Sequence, residues 1–216
     1  MSRKQPTQSD NESRTVGPPL FFRVALSLLT VGLVWNVLGY MTDQHVIMAS
    51  VNGSSMNYSL LTNERVMIDK DNKPTIEHGN VIAFDANAED PLNPRIQQAT
   101  DQGESVQYVK RIIGLPGDVV EGRDDGIYLN EKRLEEPYIA NEFQEVAIPW
   151  TLESLSNGSL WADQKNPVHV PEGHVFVLGD NRKVSEDSRY FGFVHIDNII
   201  GNVESLPWNK QPVIEP

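Results

Sequence analysis

Between Val24 and Met41 lie 18 consecutive residues without a charge, inside the apolar stretch LFFRVALSLLTVGLVWNVLGYM that runs from Leu20 to Met41. As a helix such a run spans about 27 Å at roughly 1.5 Å per residue, close to the ~30 Å hydrocarbon core of a bilayer. A segment this apolar must be covered on all sides, by lipid or by protein. Its length favours a retained transmembrane helix. A cleaved secretory signal is the rival, because it too places basic residues before an apolar run. The run is long for such a signal, and no A-x-A-like site follows it cleanly. A buried helix of a soluble domain is the third reading. Arg23 stands at the N-terminal edge, where its stem can reach the interface.

Charge sets an orientation. Residues 1–23 hold Arg3, Lys4, Arg14 and Arg23 against Asp10 and Glu12, a balance of +2, while the chain as a whole carries −12. After the apolar run no Lys or Arg occurs until Arg65. By the positive-inside rule, residues 1–19 form a cytoplasmic, disordered tail, 20–41 the membrane helix and 42–216 a domain on the far side. The acidic balance argues against nucleic acid as a partner, since phosphate binding needs clustered Lys and Arg. The chain has no cysteine, which removes disulfides, thiol nucleophiles and cysteine metal sites.

Beyond residue 45 the texture is that of an all-β domain. Short runs rich in Val and Ile recur between Gly, Asn, Asp and Pro: HVIMASV, ERVMIDK, NVIAF, VQYVKRIIG, DVVEG, GIYLN, HVFVLGD, FGFV and IIGNVESL. No helix-length periodic segment stands out beyond the anchor. Residues 85–105 are polar and read as an exposed loop, and residues 141–168 read as an insertion of unassigned structure.

Three segments carry candidate chemistry. VNGSSMNYSL, Val51 to Leu60, holds three serines. A serine hydroxyl becomes a nucleophile only when a base takes its proton. The five histidines, His45, His78, His169, His174 and His195, are scattered and lack signatures such as H-E-x-x-H, and no G-x-S-x-G elbow exists. A lysine can serve instead if burial keeps it neutral. VQYVKRIIGLPGD supplies Lys110 inside an apolar strand, where Lys110 and Arg111 point to opposite faces, one covered and one toward water. GDNRKVSEDSRYFG, Gly179 to Gly192, is a dense polar loop with Asp187 and Arg189 as a charge-assisted pair.

Together and in this order, the three segments resemble the type I signal peptidases, membrane-anchored serine proteases that remove secretory signal peptides. GSSMNYSL resembles the family's G-x-S-M-x-P-T-L box, and YVKRIIGLPGD matches its lysine box almost fully. GDNRKVSEDSRYFG matches G-D-N-R-x-x-S-x-D-S-R-x-x-G at every fixed position, and EHGNVIAF is similar to R-G-D-I-V-V-F more loosely. The likeness extends over roughly residues 20–208. It implies a compact β-sheet or partial-barrel catalytic domain behind a single N-terminal helix, in the cytoplasmic membrane of a bacterium. It implies Ser55 as nucleophile, Lys110 as general base, and a Ser185 hydroxyl that orients the lysine. It implies that Asp187 and Arg189 brace the site, that the Ser55 N–H serves an oxyanion hole, and that Gly53 lies where the family supplies a second group. Val51, Met56, Leu60 and Val109 are implied as substrate pockets. The implied partners are signal peptides of secretory preproteins and membrane lipid, with neither metal nor cofactor. The chain departs from the family at Tyr58-Ser59, where the family has Pro-Thr, and at His78 to Asn80, HGN for RGD. These departures bear on efficiency and substrate range.

Two neighbouring readings stay open on the sequence. One is a dedicated peptidase of the same fold serving a conjugation or pilus system. The other is a catalytically silent, membrane-tethered protein that holds preproteins without cutting them. A self-cleaving Ser/Lys repressor is disfavoured by the anchor and the acidic charge. For the substrate, IMASVNGSSM is a β-like stretch leading into Ser55. An extended peptide paired with a strand edge would offer it alternate side chains. Val51 and Met56 are then expected to wall the pocket next to the cut, with Val109 contributing.

Overall fold

The computed structural model describes residues 19–57, 59–70, 74–89, 94–139, 148–157, 161 and 167–206. The chain divides into two compact units, residues 1–42 and 43–216. The first holds most of helix α1 (Leu20–His45), 26 residues long. Among the described residues no helix is long and apolar enough to cross a membrane. Several side chains of α1, those of Arg23, Val37, Leu38 and the segment from Tyr40 to His45 among them, lie outside the described set, as does the tail 1–18.

The second unit is mostly β, with a curled half-barrel sheet. Each of the nine Val/Ile-rich runs overlaps a strand, FGFV by Val194 alone. They are β1 (Val46–Ser50), β2 (Arg65–Asp69), β3 (Val81–Asp85), β4 (Gln107–Gly114), β5 (Val120–Arg123), β6 (Gly126–Leu129), β9 (His174–Leu178), β10 (Val194–His195) and β11 (Ile199–Ser205). Two pairs of residues complete the set, β7 (Lys132–Arg133) and β8 (Trp150–Thr151). One sheet runs β1-β2-β11-β3-β4-β9-β10 and the other β7-β6-β5-β8. Every pairing is antiparallel. Register shifts in the β11–β3 and β4–β9 pairings mark bulges, which bend a sheet and increase its twist.

The central strands are buried on both faces, which explains why they read as unbroken apolar runs. Along β9, Val175 and Val177 enter one cluster with Ile82, Phe84 and Ile112. Phe176 and Leu178 enter another with Val120, Ile127 and Trp150 of the smaller sheet. Each such fully buried side chain contributes on the order of 1.5–3 kcal/mol relative to exposure. A third cluster joins Val51, Met56 and Leu60 to Val66, Ile68, Ala83 and Val203.

Residues 85–105 are not the expected loop. Helix α2 (Ala86–Glu89) and helix α3 (Pro94–Asp101) form there, and Ile96 is buried. The helical signal was hidden because one deeply buried anchor, Ile96, in an eight-residue and mostly polar helix makes no visible 3.6-residue stripe. In the 141–168 segment the structure describes 148–157, 161 and 167–168, with β8 and the capped helix α4 (Leu152–Ser156).

Candidate active site

Ser55 sits in a tight turn that follows β1. The turn closes through Asn57 N donating to Ser54 O at 3.1 Å and Leu60 N to Met56 O at 2.8 Å. Gly53 enters it at φ +105, a backbone conformation that side chains with a Cβ rarely adopt. Asn181 holds the turn from across the fold: its N–H donates to Ser55 O at 2.9 Å and its Nδ2 to Ser54 O at 3.1 Å. The Ser55 backbone is thus fixed by the polar loop that starts at Gly179.

Lys110 comes from the middle of β4, paired opposite Ile82 of β3. Its Nζ lies 2.9 Å from Ser55 Oγ and 5.0 Å from the centre of the Tyr108 ring. The residue is 3% exposed. Burial lowers its pKa to about 8, against the opposing pull of Asp187, Glu186 and Asp180; Arg189 lowers it further. A substantial fraction of the amine is therefore neutral at mildly alkaline pH, with a lone pair available to a hydroxyl.

Arg111 differs from the expectation that one of the adjacent basic residues faces water. It too is buried, because both faces of β4 are covered. Its guanidinium grips Asp180 with Nε at 2.8 Å and Nη2 at 2.5 Å, donates to Gly79 O at 2.7 Å, and stacks 3.8 Å from the centre of the Tyr138 ring. Such a planar fork satisfies a buried carboxylate on two oxygens at once. Ser59 Oγ accepts from Arg111 Nη2 at 3.2 Å, so the serine in place of the family's threonine still makes a hydroxyl contact. Tyr58 lies outside the described residues.

The Gly179–Gly192 loop is internally braced. Asp187, fully buried, caps helix α5 (Ser188–Phe191). It accepts from Gly179 N at 3.0 Å and from Arg189 Nε at 2.8 Å. Arg189 Nη2 donates to Arg182 O at 2.8 Å. Arg182 in turn is buried, donating to Gly179 O at 3.1 Å and paired through both Nη atoms with Glu136. The expected Asp187–Arg189 pair is present. Glu136, Tyr138 and Asn181 were not singled out from the sequence. Asn181 stood inside the GDNR motif and could have been found there, but Glu136 and Tyr138 stand in a stretch with no pattern of its own.

Ser185 Oγ is buried and has no hydrogen-bond partner in the structure. The expected bond to Lys110 is thus not made, although the hydroxyl lies beside the Ser55 turn. A Cβ built on Gly179 would come within 2.1 Å of Ser185 Oγ and 2.5 Å of Ser55 O. Only glycine lets these two approach.

A cavity of about 310 Å³ opens beside the Ser55–Lys110 contact, lined by Asn52, Gly53, Ser54, Ser55 and Lys110. Ile96, Val106, Tyr108, Val184 and Glu186 complete its described walls. The structure does not bring Val51, Met56, Leu60 or Val109 to those walls. The first three are core residues, and Val109 packs against the same core. Nearness in sequence to Ser55 did not put them at the opening, because the apolar side chains of the turn point inward to fill the space under it. Among the described residues, no group of His, Asp and Glu could hold a metal ion.

A family model described as signal peptidase, peptidase S26, matches residues 23–208 of this chain. The chain is similar to signal peptidase IB of Staphylococcus aureus, 36% identical over 166 residues, which are 74% of this chain and 76% of the relative. It is similar to signal peptidase I of Bacillus caldolyticus, 36% identical over 146 residues, or 66% of this chain and 78% of the relative. A crystal structure of a signal peptidase I from Enterococcus faecalis matches with a TM-score of 0.44 at 36% identity, covering 59% of this chain and 96% of that one.

Proposed function

The chain belongs to the signal peptidase family, peptidase S26, and we propose that it cuts signal peptides from exported preproteins with Ser55 as nucleophile and Lys110 as general base. The observation that carries this reading is the 2.9 Å approach of a buried lysine to a serine hydroxyl. Neutral Lys110 Nζ takes the Ser55 proton as Oγ attacks the carbonyl before the cut. The protonated amine then gives that proton to the departing amine of the mature chain, leaving an acyl-enzyme on Ser55. Water, deprotonated by the same lysine, releases the signal peptide. The Ser55 N–H, held by the Asn181 clamp on the turn, serves the developing oxyanion. The unpartnered Ser185 hydroxyl is the donor available to orient the lysine during this cycle. The silent-binder alternative is disfavoured, since a binding surface has no need of a buried, partly neutral amine beside a serine. β1 ends the larger sheet and runs into Ser55, so an extended substrate can add to that edge by backbone hydrogen bonds.

The base sets a pH dependence. Below about 8 Lys110 is mostly protonated and cannot accept the serine proton; above it the amine is mostly neutral. Hence kcat/KM for a preprotein should rise with pH and reach half its plateau near pH 8. A profile flat through neutral and alkaline pH would remove Lys110 from the role.

We also propose that α1 anchors the chain in the cytoplasmic membrane, tail inside and residues 42–216 outside. The support is the uncharged run Val24–Met41 together with exposed apolar side chains around the helix, among them Leu26, Leu28, Leu29, Val31, Leu33 and Trp35. Positions this densely spaced cover every face, which suits lipid better than one protein surface. Protease added to intact spheroplasts should digest the C-terminal domain and spare the tail. Digestion of the tail with protection of the domain would reverse the orientation.

A further inference from the structure

We propose that Glu186 is a specificity-determining residue that selects substrates by the charge of a side chain flanking the cut, favouring basic and rejecting acidic ones. The inference rests on the peptidase reading above and extends it to the substrate. Glu186 is exposed and lines the cavity that contains Ser55 and Lys110. Ile96, Val106, Tyr108 and Val184 form the apolar and aromatic part of those walls, and Asn52, Ser54 and Ser55 are polar but uncharged. Glu186 and Lys110 are the charged side chains among the described lining residues, and Lys110 must be neutral when it acts as base. In the working state the carboxylate of Glu186 is therefore the formal charge that the described walls present to a substrate.

The surrounding carboxylates do not share this part. Asp187 is buried and paired with Arg189, and Asp180 is buried and paired with Arg111, so each is balanced on the spot. Glu186 forms no ion pair among the described residues. A lone charge beside a cavity with low-dielectric walls acts on an entering side chain more strongly than the same charge on open surface. Its field also extends to Lys110, where it opposes the lowering of the amine's pKa by burial.

The test uses the full-length protein in detergent and preproteins carrying Lys, Gln or Glu in turn at each position flanking the cut. At one of these positions kcat/KM should be roughly five- to tenfold higher for Lys than for Glu, as expected of a partly exposed charge pair, and the ratio should shrink as salt is raised. In Glu186→Gln the ratio should fall to near one, and Glu186→Asp should keep part of it. A folded Glu186→Gln with the ratio of the unmodified protein overturns the assignment. So does an unmodified protein indifferent to charge at every position, or a folded Glu186→Gln that cleaves none of the substrates. Failure of the unmodified protein to cleave any preprotein would instead overturn the peptidase reading itself.

Discussion

Ser55→Ala and Lys110→Met should each reduce cleavage of a preprotein by several orders of magnitude, and the double variant should be scarcely worse than either single one. Residues that act as one unit lose the whole effect when either is removed; in serine proteases such losses run to about 10⁴–10⁶-fold. The expectation follows from the 2.9 Å contact and from the absence of any histidine among the described residues that line the cavity. Neither change should unfold the protein. Lys110→Met replaces a buried amine with an uncharged chain of similar length, which removes a desolvation cost instead of adding one. The measurement is kcat/KM alongside thermal unfolding. A folded Lys110→Met that keeps a tenth of the activity would refute the dyad.

Gly179→Ala should damage both stability and activity although glycine carries no reactive group. Its Cβ would sit 2.1 Å from Ser185 Oγ and 2.5 Å from Ser55 O, distances no real contact sustains. Ser55 O is backbone and is tied to Asn181, so it yields only by displacing the nucleophile's turn. Overpacking of this kind costs about 1–3 kcal/mol of stability. A displacement of about 1 Å at the nucleophile costs about a hundredfold in rate. Both losses should therefore appear together, read by thermal unfolding and by kcat/KM. Cleavage at the unmodified rate would show that the Gly179–Ser55 approach has no catalytic role.

Much of this was legible in the chain, and the failures have physical causes. All nine strand-like runs overlap strands, because a strand buried on one or both faces must be rich in Val, Ile and aromatic residues. β7 and β8 were not legible, since two residues are too few to show alternation. Helix α3 was hidden by its polarity. Arg111 was misjudged because alternation says that neighbours face opposite sides, but not whether both sides are covered. Val51, Met56, Leu60 and Val109 were implied as pocket residues by the family resemblance, whereas the fold uses the first three as packing under the turn and packs Val109 against the same cluster.

Residue order alone was enough to identify the family, the strand segments and the chemical types at positions 55, 110, 185, 187 and 189, because these are local patterns of short range. Whether the serine and the lysine meet was not. They stand 55 residues apart, and their 2.9 Å separation depends on β4 lying inside the sheet and on Asn181 holding the turn. Nor could the lysine's proton affinity be read from its neighbours in sequence. Desolvation depends on everything that excludes water from the amine, and here that cover, together with Asp187, Glu186 and Asp180 pulling the other way, is assembled from segments far apart along the chain.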